Sequence, residues 1–453
     1  MPDKKYIVAF EIGSSKIRGA VGTVDDNGTL TVVAVEQEPL NDSVRYGSIR
    51  KVPDVSDRIL SITRKLEDNP AVRPGRIKGS YVPISGITLK SMNTQIVKKF
   101  DQEVEITKEI ISQLKQEARQ KAPADRDVVA VMTGGYTVDT IAQKNPVGVV
   151  GREIKADLSP VYCRPQIINN LNRVFSERLP MAINGQIPLP LAEAGLVLTD
   201  DEKNLGVMLV DFGAETTTVC IFKKETFRYL ATIPMGSRNI TRDLTSLNYT
   251  ERQAEEIKTS RSNVSPDYVP PTGGDPSLDT TKINQIVSER AGEIIANIIA
   301  QIKYAGMKDT DLPGGIVLVG DGANLKGFMQ LLASHTGLKV RRGTPLGAVK
   351  KANLQIKDTD AIDVISILRV AASFNDQKIC VEFPEPVKEP EPNPHPSKDD
   401  NNEAPEVEDP YKKPKSKPKD GTKKDFGSSV KNLFGKLMEA LDDSADDYDD
   451  NNN

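Results

Sequence analysis

Three stretches of the chain share one pattern, an unbroken apolar run that ends in a glycine-bearing polar turn. From Tyr6 to Gly22, YIVAFEIGSSKIRGAVG, the run Ile7 to Phe10 leads to Glu11 and a Gly-Ser-Ser-Lys turn, then returns through Ile17, Ala20 and Val21. That spacing predicts a β-hairpin. Residues 207 to 219, VMLVDFGAETTTV, repeat it with Asp211, Gly213 and Thr216, Thr217 and Thr218. Residues 315 to 329, GIVLVGDGANLKGFM, predict a buried strand, a Gly-Asp-Gly turn and an amphipathic helix. Helical spacing appears at Val55, Ile59, Ile62 and Leu66, and at Ile110, Leu114 and Ala118 in a helix over 107 to 120. Strands are predicted around 128 to 132, 138 to 141 and 153 to 158. Ile283, Ile286, Val287, Ile294, Ile295, Ile298, Ile299 and Ile302 mark one long scaffold helix, preceded by a Ser/Pro/Gly-rich loop from Ser260 to Ser277. After about Phe383 hydrophobicity falls and prolines recur every few residues, as expected of a disordered linker.

With 453 residues, 38% of them apolar, the chain is expected to form more than one domain. A net charge of -4 argues against a nucleic-acid partner. Cys163, Cys220 and Cys380 lack metal-ligand spacing, and His335 and His395 stand alone, which disfavours a zinc site and a serine triad. No apolar run approaches the roughly 20 residues of a spanning helix. The start, MPDKKYIVAF, has no signal-peptide core, so a cytoplasmic protein is expected.

Glycine at position 13 permits a sharp turn whose amides, with the hydroxyls of Ser14 and Ser15, can converge on an anion, and Lys16 can add charge. A plain structural turn is the alternative for that stretch taken alone. Two acid-ended hairpins and a strand-loop-helix, in this order, resemble the two phosphate motifs and the adenosine motif of the actin-like ATPase superfamily. Between Gly86 and Cys163 the texture suggests an inserted subdomain. Its end, NPVGVVGREIKADLSPV from Asn145, resembles the segment that closes subdomain 1C in the FtsA family of actin-like division proteins, an insertion that separates that family from MreB and actin. LAEAGLVLTDDEKNL, Leu191 to Leu205, resembles the same family's connector.

The resemblance implies an α/β, two-lobed actin-like fold: subdomain 1A over 5–85 and 164–202, inserted 1C over 86–163, 2A over 203–236 and 309–383, 2B over 237–308, a linker over 384–424, an amphipathic helix over 425–441 and an acidic tail over 442–453. It also implies ATP and Mg²⁺ as cofactors. Gly13, Ser14, Ser15 and Lys16 would face the phosphates opposite Gly213 and Thr216. Glu11 and Asp211 would sit near the metal, largely through water. Gly320, Gly322 and Ala323 would lie against the adenosine, and Glu255 and Lys258 would reach the ribose and base, unless they form a solvated ion pair. Implied partners are FtsZ, other division proteins, further copies in a filament and the anionic inner membrane, at whose cytoplasmic face the protein would work. A sugar- or acetate-type kinase of the same superfamily is the enzymatic alternative, although no carboxylate base can be assigned. A chaperone ATPase would need a folded domain after residue 383. The sequence departs from the usual pattern at Ala214, Glu215 and Thr218, and at Asp321. A Glu215 carboxylate about 5 Å from a phosphate would oppose binding by roughly 3 kcal/mol. Tighter ATP binding is therefore expected of Glu215→Gly, and turnover is expected to be slow at most.

From Asp425 to Leu441 the residues Phe426, Val430, Leu433, Phe434, Leu437, Met438 and Leu441 follow steps of three and four, with Lys431, Asn432, Lys436 and Glu439 opposite. Such a helix is too short to span a bilayer and marginal in water, so it is expected to lie in a membrane surface, the alternative being a protein groove. Full burial of seven such side chains would stabilise it by on the order of 10 kcal/mol as an upper bound. Lysines 412, 413, 415, 417, 419, 423 and 424 could each add roughly 1 kcal/mol on anionic headgroups, while six aspartates between 442 and 450 oppose them. In liposome flotation, truncation after Lys424, or Phe434→Glu, should leave the protein in the bottom fraction. Flotation equal to the parent's would place the anchor elsewhere.

Overall fold

An apolar strand that runs into an acid and a glycine turn folds back on itself, and this happens twice. The computed structural model describes residues 5–384 except 26, 270–278, 348, 353, 355, 358 and 375–377. The expected linker, terminal helix and acidic tail, with most of the expected 260–277 loop, lie outside the described residues. β1 (Lys5–Ile12) pairs antiparallel with β2 (Lys16–Val24), which pairs with β3 (Leu30–Pro39). A small hairpin of β4 (Val44–Arg45) and β5 (Ser48–Ile49) precedes α1 (Val52–Asp68), which carries Pro53 in its first turn and buries Val55, Ile59, Ile62 and Leu66. Gly19 lets that helix press onto the sheet, since a Cβ there would lie 2.5 Å from Ile62 and 2.8 Å from Phe10. After β6 (Arg76–Ile77), β7 (Gly79–Ile84) runs parallel to β1.

The insertion comprises β8 (Lys90–Ser91), β9 (Thr94–Glu105), α2 (Lys108–Gln120), β10 (Asp127–Val138), β11 (Ile141–Gln143) and β12 (Val150–Cys163). The hydroxyl of Thr107 caps α2 by accepting from the amide of Ile110. Leu114 and Ala118 are buried and Ile110 half-buried, over a separate small core that includes Ile96, Val131 and Ile154. The strands expected at 128–132 and 138–141 differ from those observed. One strand runs through to Val138 because an irregularity between Thr133 and Gly135 keeps it paired with β12, and β11 begins only at Ile141.

The chain then returns through α3 (Pro165–Asn172), β13 (Ala182–Pro188), α4 (Leu189–Val197) and α5 (Asp200–Leu205). The second lobe follows: β14 (Val207–Phe212), β15 (Thr217–Lys223), β16 (Thr226–Ile233), α6 (Ser237–Leu244), α7 (Glu251–Ser260), α8 (Thr280–Tyr304), β17 (Gly315–Val319), α9 (Phe328–Thr336) and β18 (Val340–Arg342). Then come β19 (Val349–Lys351), α10 (Ile362–Ala372) and β20 (Val381–Glu382). The first-lobe sheet has the order β13-β7-β1-β2-β3-β19. The architecture is thus the expected α/β, two-lobed actin-like one with an insertion.

One boundary read from the sequence needs correction. Residues 309–383 do not form one continuous part of the second lobe: β19 pairs with β3, β20 pairs with β6, and α10 buries Ile365, Ile367 and Leu368 in the core of the first lobe. The insertion is joined edge to edge with the second lobe. Its strands continue the second-lobe sheet in the order β11-β10-β12-β8-β16-β15-β14-β17-β18, joined where Lys90 pairs with Ala231. The Ser91 hydroxyl accepts from the amide of Leu230 at 2.9 Å, and Lys144 pairs with Glu225 at 2.7 Å.

Glu215 is another tie between lobes, and it overturns the expected repulsion. Its side chain is fully buried, with Oε1 2.7 Å from Arg242 Nη2 and 3.3 Å from Arg238 Nη1, and with Arg45 Nε at 3.8 Å. Oε2 accepts from the amide of Tyr46 at 2.9 Å. Arg45 and Tyr46 belong to the first lobe, so a charge expected to push a phosphate away is consumed in holding the cleft's two walls together. Removing one partner of such a group strands buried charge, at a cost of roughly 3–5 kcal/mol. Glu215→Ala should therefore lower the unfolding free energy measured in urea at neutral pH by up to an amount of that order; an unchanged midpoint and slope would refute the tie. Deleting residues 86–163 should likewise not leave an intact body. The root of the insertion, including Val129, Val161 and Cys163, shares a core with Leu209, Cys220 and Leu230, so the deleted chain should lose its cooperative thermal transition.

Candidate functional site

The two hairpins close with the same hydrogen bond. Gly13 N donates to Lys16 O at 3.0 Å, and Gly213 N donates to Thr216 O at 2.9 Å. The registers match as well: Glu11 lies opposite Arg18, and Asp211 lies opposite Thr218. Period-two alternation places each acid one residue before the strand end, on the side of the cleft between the lobes. Ser14 is buried in its turn, while Ser15 and Thr216 are half-buried.

The loop after β17 comes up against the second hairpin. Gly320 has φ +83°, and a Cβ there would lie 2.4 Å from Asp211 Oδ1 and 2.5 Å from Phe212 O. A Cβ at Gly322 would lie 2.7 Å from that same carbonyl. Both glycines are therefore required by the approach of this loop to the β14 end, with Ala323 buried beside them. Asp321, between them, faces the first lobe: it accepts from Arg18 Nη2 at 2.7 and 2.8 Å, and Lys16 Nζ lies 2.9 Å from its Oδ2. Arg18 also pairs with Asp363 on α10. Lys16, expected to face phosphate, is thus engaged across the cleft by Asp321.

Three carboxyl groups on the cleft floor are pushed up in pKa. Burial is the main cause at Glu11, aided by Asp363 and opposed by Arg18. Burial, with Asp363 and Asp321, pushes Asp211 up to about 7. Glu193, on the otherwise apolar α4, is raised by burial and then by Asp211, and its Oε2 is buried without a hydrogen-bond partner. Arg18, although burial works against it, is held above its ordinary value by Asp363, Asp321 and Glu11. Five acids thus share two ion-paired cations, with Arg342 acting on Asp321 alongside them. Such a surplus of oxygen donors suits a hard divalent cation, which carries much of its own hydration. Among the described residues no three His, Cys, Asp or Glu side chains are close enough to hold a metal directly.

Glu255 and Lys258 lie apart from this cluster, on α7. Lys258 is buried, and its Nζ donates to Glu255 Oε2 at 2.7 Å, Thr241 Oγ1 at 3.0 Å and Ser237 O at 3.2 Å. Burial holds its pKa below the ordinary lysine value. The pair is not solvated at the lysine end. It anchors α7 to α6, whose first amides, Ser237 N and Arg238 N, donate to Gly213 O and Ala214 O in the second turn. The structure therefore brings Glu11, Lys16, Asp211, Gly320 and Gly322 together, and ties Glu255 and Lys258 to Gly213 through one helix.

Arg18, Glu193 and Asp363 were not singled out from sequence. For the first two a signal exists: Glu193 is a lone charge inside the apolar LPLAEAGLV, and Arg18 is a charge inside the strand KIRGAVGTV, past the turn lysine and followed by apolar residues. Nothing local marks Asp363.

Residues 208–360 match the family profile described as Cell division protein FtsA, and residues 86–162 match the one described as SHS2 domain inserted in FTSA. A cell division protein FtsA from Pseudomonas aeruginosa is 30% identical over 355 residues, covering 75% of this chain and 83% of that one. Another from Porphyromonas gingivalis is 29% identical over 346 residues, 73% of this chain and 72% of that one. Among solved structures, the PilM-PilN type IV pilus biogenesis complex aligns with a TM-score of 0.58 at 14% identity, covering 80% of this chain and 98% of that one, a likeness of fold. With the hairpin pair, the insertion and this extent of identity in hand, the chain belongs to the FtsA family of cell division proteins.

Proposed function

We propose that the protein is a nucleotide-dependent, filament-forming division protein that tethers FtsZ to the inner face of the cytoplasmic membrane. The observation that carries this reading is the pair of hairpins with one turn geometry, both ending in acids on a shared carboxylate-rich floor. ATP would lie in the cleft, its phosphates against Gly13, Ser14 and Ser15 on one side and Gly213 and Thr216 on the other. Mg²⁺ would neutralise Glu11 and Asp211 through its water shell and supply the charge that lets phosphates approach them. Lys16 would exchange Asp321 for a phosphate oxygen. Glu255 and Lys258 act in this reading through the helix they fix, with the base and ribose beside Gly320, Gly322 and Ala323.

Membership of the family supports self-association and partners in division. FtsZ is the partner proposed for the second lobe or insertion, and the terminal stretch 425–441 is the proposed contact with anionic lipid. Among the described residues no helix is long and apolar enough to cross a membrane.

Calorimetry with ATP tests the nucleotide site. Asp211→Asn should weaken ATP binding in the presence of Mg²⁺ on the order of tenfold, about 1.4 kcal/mol, while leaving metal-free binding equal or tighter because one repelling charge is gone. Equal loss with and without Mg²⁺ would argue against a metal at this position. Absence of binding by the unaltered chain would sink the nucleotide reading.

A further inference from the structure

A second charged feature lies away from the cleft, at the root of the insertion. Lys90 on β8, Arg126 in the turn before β10 and Arg164 just before α3 line a cavity of about 350 Å³, walled by Ile87, Pro123 and Tyr162. That is at the small end of the about 300–1,000 Å³ usual for ligand sites. The backbone around it is already committed: Arg164 N donates to Thr88 Oγ1, and Lys90 is paired in the sheet with Tyr162 and Ala231. Carboxylates nearby are few. Arg126 pairs with its neighbour Asp125, which is largely exposed, and Asp127 faces the buried Cys163 thiol. Among the described residues, neither Lys90 nor Arg164 has an ion-pair partner. Three cations thus converge on a concave surface with one exposed aspartate to answer them, which calls for a polyanion and not for a single carboxylate.

The sequence contains such a polyanion with no role yet. Asp442, Asp443, Asp446, Asp447, Asp449 and Asp450 fall within nine residues, interrupted by small residues and Tyr448 and followed by asparagines. About 60 residues separate this run from Phe383, a contour of up to roughly 200 Å, so reach does not restrict where it can go. Its charge does. On an anionic membrane it is repelled, and in the cleft Lys16 and Arg18 are already held by Asp321 and Asp363.

We propose that the acidic run 442–450 docks in this basic cavity of its own chain. Each contact is partly exposed and weak alone, so binding requires several aspartates at once and falls with salt. The guanidinium groups of Arg126 and Arg164 can each take one carboxylate through two N–H bonds, and the run has six carboxylates to offer. The docking does not depend on the proposed nucleotide or membrane roles.

The test uses the full chain without lipid or nucleotide. Carbodiimide treatment, which joins a lysine amine to a carboxylate as an amide, should link Lys90 to the peptide carrying Asp442–Asp450, read by mass spectrometry after proteolysis. In an equal mixture of ¹⁵N-labelled and unlabelled chains the link should stay within one isotope. It should fall about fivefold or more in 0.5 M salt, where the Debye length is about 4 Å, and equally in Arg126→Ser combined with Arg164→Ser. A tail linked to other lysines within residues 5–384 as readily as to Lys90, a link between isotopes, or an unchanged yield in the double variant would overturn the proposal. Should that variant not fold, excess synthetic peptide 442–453 must suppress the Lys90 link in the unaltered chain, and failure to compete would count against docking equally. If phosphatidylglycerol vesicles bind the unaltered chain but not the double variant, while the tail links are the same in both, the cavity serves lipid headgroups and the proposal is wrong.

Discussion

A guanidinium buried between two lobes is the constraint on which the cleft depends. Arg18 sits in a strand whose other members are almost all apolar and fully enclosed, where an unpaired charge would be prohibitive. Asp363, carried back into the first lobe by α10, and Asp321, brought across from the second, satisfy it together. The Gly320–Gly322 loop must therefore come close enough for Asp321 to reach. That approach is possible only because residues 320 and 322 have no Cβ to collide with the end of β14. The fixed positive charge also explains why Asp321 stays below the ordinary carboxylate range, while Glu11 and Asp211, with more burial and less compensation, are pushed up.

Much of the fold could be read from period and punctuation. Both hairpins, the strand-turn-helix, α1, α2 and α8 announce themselves because apolar spacing and glycine turns act locally. What could not be read are the pairings between distant segments. Nothing in Lys90–Ser91 foretells a join to β16, and nothing in residues 349–382 says that they leave the second lobe for the first. Two-residue strands carry no periodic signal, and register between remote segments is set by the finished core.

The site was legible in its frame and illegible in its charges. Glycine positions and acid-ended strands follow from backbone chemistry, so Glu11, Gly13, Asp211 and Gly213 could be proposed directly. The sign of Glu215's effect could not. Its neighbours in sequence are a turn, but its neighbours in space are Arg45, Arg238 and Arg242, and a carboxylate among guanidinium groups does the opposite of what one beside a phosphate would do. Lys16 teaches the same lesson, since a lysine in a phosphate-type turn is already held by Asp321. Family resemblance supplies positions more safely than it supplies electrostatics.

The narrowness of the join between the insertion and the second lobe has a mechanical consequence. A continuous β-ribbon is stiff along its hydrogen bonds wherever adjacent strands share many of them, as β10 and β12 do over most of their length. At β8 and β16 the shared length shrinks to a single residue pair and the hydroxyl of Ser91. Twist imposed on either side gathers at that seam, much as a perforated sheet folds along its perforation. The seam is therefore held less by hydrogen bonds than by packing, for Val129, Val161 and Cys163 at the root of the insertion share a core with Leu209, Cys220 and Leu230, and any swing there must shear that core.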